Sequence, residues 1–141
     1  RRSSDLKAFN ENIFFTEVSE AFDFSQLFIN GQKQILARYP NYNENGGAWQ
    51  GHAADAISKE RVSTWKNPTG GFVHAMHRGR WGGFHFIIEG VDPEGELLLK
   101  GGHQNNRPSS MHPELRMVEN IFEELDSERE WYFDKQTNRL Y

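Results

Sequence analysis

The chain has 141 residues, a net charge of −4, no cysteine, and 36% hydrophobic residues that include an aromatic content of 13%. Adding its 13 glycines brings the apolar fraction to about 45%, the lower edge of the globular range, and a single domain of this size buries about 68% of its unfolded surface. The acidic balance without a basic block argues against nucleic acid and anionic membrane surfaces, no apolar run approaches the ~18–20 residues of a membrane span, and the lack of cysteine removes disulfides, thiol nucleophiles and cysteine–zinc sites.

The first seven residues are polar and are expected to fray. Residues 12–16, Asn-Ile-Phe-Phe-Thr, read as a short strand. Asn30-Gly31 between two β-prone runs predicts a hairpin over residues 26–37, because a type I′ turn needs positive φ at two consecutive positions. Residues 39–51, rich in Asn and Gly, predict a long loop. Residues 58–65 predict a helix with Ser58 as N-cap and Pro68 closing the segment. Residues 72–77 and 84–89 predict strands, the second with Phe84, Phe86 and Ile88 on one face and His85, Ile87 and Glu89 on the other. A turn at 92–95 leads to a strand over 96–100, a polar loop follows over 101–113, residues 116–121 read as a strand, and 122–126 as one helical turn. Trp131 to Asp134 predicts a strand, Lys135 to Asn138 a turn, and Arg139-Leu140-Tyr141 the start of a returning strand. A strand that stops at its third residue predicts that the chain is a piece of something longer. Many short strands with one short helix and no βαβ rhythm predict an all-β, mainly antiparallel, sandwich or jelly-roll-like domain.

His74, His77 and His85 raise the question of a metal. In a strand the odd spacing puts His74 and His77 on opposite faces, so no metal site is expected and the histidines read as hydrogen-bonding groups at a strand end. The carboxylates Glu119, Glu123, Glu124, Asp126, Glu130 and Asp134 offer acid–base pairs, but with 20 acidic residues some pair always fits. They read as surface and helix-end charge. Neither a nucleophile elbow nor a phosphate-binding glycine loop is present. The informative constellation is aromatic and amide-rich: Trp49 beside Tyr39, Asn41, Tyr42 and Asn43; Trp81 among Gly79, Arg80 and Gly82; and His103 followed by Asn105, Asn106 and Arg107. A flat ring covers the C–H surface of a sugar while amides and guanidinium groups bind its hydroxyls. Trp65 and Trp131 read as core.

Several segments, in order, resemble one family. These are Leu27-Phe28-Ile29-Asn30-Gly31 with Gln34 and Leu36-Ala37-Arg38-Tyr39-Pro40-Asn41; Gly70-Gly71-Phe72-Val73-His74-Ala75 with His77 and Trp81-Gly82; Gly101-Gly102 with Gln104-Asn105-Asn106-Arg107; and Glu119-Asn120-Ile121-Phe122-Glu123-Glu124-Leu125-Asp126 with Glu130-Trp131-Tyr132-Phe133-Asp134. Together they resemble the insertion domain of glycoside hydrolase family 141 and related right-handed parallel β-helix enzymes. The resemblance implies a mainly β module of a secreted or periplasmic polysaccharide-degrading enzyme. It implies partners in plant cell-wall polysaccharide and in a parent β-helix. It places the catalytic acids on that β-helix, so no catalytic residue and no cofactor is assigned to this chain. Relatives carry Pro-Gly where this chain has Glu128-Arg129, which puts the tight turn there in question. The expected function is non-catalytic: carbohydrate binding or cleft shaping through Trp81, Trp49, His77, Arg38, Asn105, Asn106 and Arg107. A purely structural spacer on the parent is the alternative, and a free-standing hydrolase is the third.

Overall fold

The computed structural model describes residues 5–19, 25–103 and 109–141. In chain order the strands are β1 (Lys7–Ala8), β2 (Phe14–Glu17), β3 (Phe28–Ile29), β4 (Gln32–Lys33), β5 (Ile35–Leu36) and β6 (Arg38–Tyr39). After helix α1 (Lys59–Val62) come β7 (Phe72–His77), β8 (Gly83–Val91), β9 (Leu97–Gly101) and β10 (Met111–Glu119). The last three are β11 (Glu130–Trp131), β12 (Phe133–Asp134) and β13 (Arg139–Leu140), and 3-10 turns lie at Ala48–Gln50 and Phe122–Glu124. The fold is all-β, mainly antiparallel and sandwich-like, with one short helix among the described residues.

The main sheet runs β6-β10-β7-β8-β9, antiparallel throughout, and a smaller sheet runs β1-β2-β13-β12. Alternation along β7 is strict. Val73, Ala75 and His77 turn inward and are buried, while Phe72, His74 and Met76 take the other face. Val73, Ile88 and Val118 meet on the inner face and are closed over by Val62 and Trp65 from the helical segment and by Ile121. Each such aliphatic side chain contributes about 1.5–3 kcal/mol when fully buried.

One short helix seals this core because of a polar contact. Ser58 caps α1, its Oγ accepting from Arg61 N at 3.2 Å. Trp65 Nε1 then donates to the buried Glu124 carboxylate at 2.6 Å, and Arg61 Nη1 donates to both of its oxygens at 3.1 and 3.3 Å. The Arg61 guanidinium also lies 3.1 Å from the centre of the Tyr39 ring, whose hydroxyl donates to Asp55.

Three expectations are corrected. β10 begins at Met111, inside the segment read as loop. Its ladder slips between Met111 and Arg116, where Pro113 has no N–H to give. The single strand expected over residues 131–134 is two. Glu130-Trp131 pairs in parallel with β5, and Phe133-Asp134 pairs with β13, with Tyr132 exchanging both backbone bonds with Tyr141. The tight turn before Trp131 does form. Arg129 takes φ +69 without glycine, and its guanidinium donates to Lys33 O at 3.0 Å. The Asn30-Gly31 turn has positive φ at both residues, as a type I′ hairpin requires.

Glu124→Ala leaves the Trp65 indole N–H without its buried partner, so it is expected to cost about 2–3 kcal/mol. Asp55→Asn, at a side chain 54% exposed, is expected to cost under about 1 kcal/mol. Urea midpoints at unchanged m-value distinguish the two.

Candidate functional site

The β7–β8 hairpin turns through Arg78, Gly79, Arg80, Trp81 and Gly82. His77 N donates to Gly82 O and Arg80 N to His77 O, with Arg80 at φ +59. This tight closure projects Trp81, which is 70% exposed. Its indole lies on the His77 imidazole with ring centres 5.4 Å apart and planes 10° apart. His77 in turn stacks on Phe84 at 6.0 Å and 19°. Phe84 and His77 are both buried, so three rings form a pillar from core to surface. Gly79 N donates to His77 Nδ1 at 2.8 Å, which fixes the neutral imidazole with its proton on Nε2. Arg78 and Arg80, in the same turn as Trp81, are exposed.

The other expected site residues fall elsewhere. Trp49 is half-buried, in a left-handed conformation at φ +53, within the 3-10 turn. Arg38 is buried, and its guanidinium donates to backbone carbonyls. Nε donates to Pro40 O at 2.8 Å, Nη1 to Trp49 O at 2.7 Å and Nη2 to Gly51 O at 2.8 Å. These three carbonyls lie along the Asn-rich loop, so Arg38 is the clamp that shapes it. Burial lowers the Arg38 pKa, and the nearby Glu119 and Glu130 carboxylates oppose that shift. Asn105, Asn106 and Arg107 lie outside the described residues.

The carboxylates considered as acid pairs have structural partners. Glu124 serves Trp65 and Arg61, Glu123 accepts from Lys66 N, and Asp134 caps the β12–β13 turn through Gln136 N, Thr137 N and Thr137 Oγ1. Two features escaped the sequence reading. On the outer face of the main sheet His74 and His85 are directly opposite in register, with Nδ1 atoms 2.6 Å apart, and His74 Nε2 lies 3.0 Å from Glu119 Oε1. Partial burial, and then the neighbouring His74, lower the His85 pKa below the usual histidine range, against the pull of Glu119. Counting both strands outward from the 78–82 turn pairs residue 74 with residue 85, so the signal was available.

The second feature is a cavity of about 1060 Å³ between the smaller sheet and the β11 turn, bordered by Leu6, Phe14, Leu27, Ile29, Glu130 and Trp131. Glu130 Oε2 accepts from Asp126 N and Ser127 N at 3.1 and 3.2 Å, while Oε1 is buried without a hydrogen bond. Desolvation pushes the Glu130 carboxyl up to about 7, against the two N–H groups and a weaker contribution from the Arg38 backbone. No sequence pattern marks this, because the burial comes from chain segments far apart.

No family model matches the chain, and no curated protein matches it in sequence. Among solved structures the chain is similar to a glycoside hydrolase, with a TM-score of 0.61 and 16% identity. The match covers 96% of this chain and 26% of that one, so the chain spans about a quarter of the enzyme's length. At that identity the likeness shows the fold: this is an all-β domain of a kind found within a glycoside hydrolase.

The Glu130 carboxyl carries a testable consequence. An unfolded carboxyl titrates near 4.5, and the folded one near 7. Between these values the folded state binds more protons, so the stability this group contributes is full below about pH 4.5 and is lost as pH rises through 7. Glu130→Gln is expected to flatten that decline, raising the urea midpoint at pH 7.5 relative to wild type more than at pH 5. Parallel pH profiles for the two proteins would remove the claim.

Proposed function

We propose that the chain is a non-catalytic carbohydrate-binding or cleft-shaping domain of a polysaccharide-degrading glycoside hydrolase. The observation that carries this reading is the exposed Trp81 indole, held parallel on a buried imidazole in a turn that also carries the exposed Arg78 and Arg80. A ring fixed from behind presents its flat surface with little rotamer entropy left to lose, which suits the C–H face of a sugar. The guanidinium groups suit hydroxyls or a uronate carboxylate. In this reading His77 supports Trp81, Arg38 and Trp49 shape the Asn-rich loop, and Asn105, Asn106 and Arg107 are further amide and cation candidates. The glycoside-hydrolase fold likeness and the family 141 resemblance both fit this assignment, which carries with it a secreted or periplasmic location and a partner in plant cell-wall polysaccharide.

The structural spacer is favoured by a separate observation. Leu6, Phe14 and Ile29 are each about half exposed and border one cavity beside the smaller sheet, an apolar surface suited to covering by a parent β-helix.

Titration of the chain with xylan, pectin and fucosylated oligosaccharides, read by tryptophan fluorescence and calorimetry, tests the first reading. One of these classes is expected to bind. Trp81→Ala is expected to weaken that binding about tenfold or more, roughly 1.4 kcal/mol, with far-UV circular dichroism unchanged. No heat and no fluorescence change with all three would sink it. That result, with self-association through the exposed apolar face in sedimentation, is what the spacer reading expects.

A further inference from the structure

The outer face of the main sheet carries a second arrangement, independent of Trp81. His74 on β7 and His85 on β8 are cross-strand neighbours, and their Nδ1 atoms face each other at 2.6 Å. The proton positions follow from the chemistry of the partners. An ionised carboxylate only accepts, so the 3.0 Å contact to Glu119 puts the His74 proton on Nε2. In the neutral ring His74 Nδ1 is then a lone pair, and His85 must donate to it from its own Nδ1. The sequence Glu119–His74–His85 is thus a chain of oriented donors and acceptors that ends at the His85 Nε2 atom, on an exposed residue beside Gly83.

We propose that His74 and His85 form a two-imidazole binding site for a borderline divalent transition metal such as Cu²⁺, Ni²⁺ or Zn²⁺. Three features of the geometry carry this. Directly opposed residues on adjacent antiparallel strands hold their Cβ atoms about 4.5–5.5 Å apart, close enough for both rings to reach one ion. Imidazole nitrogens bind such metals at about 2.0–2.1 Å, so two ligands on one ion sit about 3 Å apart, and the pair admits it when the contact opens by a few tenths of an ångström and both rings turn to converge on the ion. Glu119 already accepts from His74 Nε2, the carboxylate–histidine arrangement that orients a metal-binding imidazole and raises its basicity. The ion takes the place of the proton between the two Nδ1 atoms, and that proton moves to the exposed His85 Nε2, so no net proton is released, both rings stay neutral and both Nδ1 lone pairs are free for the metal. No set of three His, Asp or Glu side chains converges among the described residues, so water or an added ligand fills the remaining positions. Nitrogen donors select Cu²⁺, Ni²⁺ and Zn²⁺ over Mg²⁺ and Ca²⁺, which want oxygen.

The test is calorimetric titration of the untagged chain with CuCl₂, NiCl₂, ZnCl₂ and MgCl₂, with electron paramagnetic resonance on the Cu²⁺ form. Wild type is expected to bind one Cu²⁺ with coupling to two nitrogens, to bind Ni²⁺ and Zn²⁺ more weakly, and to ignore Mg²⁺. His85→Thr, at an exposed strand position that tolerates the change, is expected to abolish this binding. Glu119→Gln is expected to weaken it about tenfold, and His103→Asn to leave it unchanged. No binding of Cu²⁺, Ni²⁺ or Zn²⁺ by wild type overturns the proposal. So does binding that survives in His85→Thr, or a Cu²⁺ spectrum with one nitrogen.

Discussion

The buried Glu124 carboxylate is the interaction on which the rest of this structure depends. A four-residue helix cannot hold itself together in water, because nucleation is unfavourable and propagation too short to repay it. Here α1 persists because Ser58 caps it and because Arg61 and Trp65 both reach one carboxylate from a different part of the chain. That shared acceptor fixes the roof of the core over Val73, Ile88 and Val118. It also brings Arg61 onto the face of Tyr39, which ties strand β6 to the helix. A charge left unpaired at this position would be costly, and two donors of different geometry leave little freedom in how the roof can sit.

From that roof the order passes to β7, the middle strand of the main sheet. Its inward residues are locked by core packing, and the period of two then places every outward residue without further instruction. His77 therefore serves as the buried base of an exposed indole, while His74, three positions earlier, faces the other way. The precision of both features comes from the same packed core. An indole on a flexible loop would lose rotamer freedom on meeting a ligand; one stacked on His77, itself backed by Phe84, has already lost it.

The parts of this fold that local patterns govern could be read from the sequence. Asn30-Gly31 specified its own turn, Ser58 its cap, and the alternation of Val73 and Ala75 with Phe84 and Phe86 its two strands and their inner face. What could not be read depended on pairings between distant segments. The parallel pairing of β5 with β11 divides Trp131 from Phe133, and nothing in those four residues announces that they belong to different sheets. Pro113 disguised the start of β10 because a bulge, and not a strand end, accommodates it. Arg38 shows the same limit at the candidate site. Beside Tyr39 and Asn41 it resembled a ligand-binding cation, and only the folded loop reveals three carbonyls aimed at its guanidinium.

That assignment of Arg38 bears on how the surface works. Asn-rich loops carry many backbone carbonyls that no ladder satisfies, and a loop left to water would sample many shapes. A single planar group with three of its donors on the carbonyls of Pro40, Trp49 and Gly51 removes that freedom at small cost in sequence. It also holds Trp49 in a left-handed conformation, one that an unrestrained tryptophan rarely adopts. The two loop tryptophans thus reach a defined position by opposite means. Trp81 is set by its ring, stacked from below, and Trp49 by its backbone, clamped through the carbonyl. Trp81 stays largely exposed, while the ring of Trp49 is half-buried and contributes chiefly to the shape of its own loop.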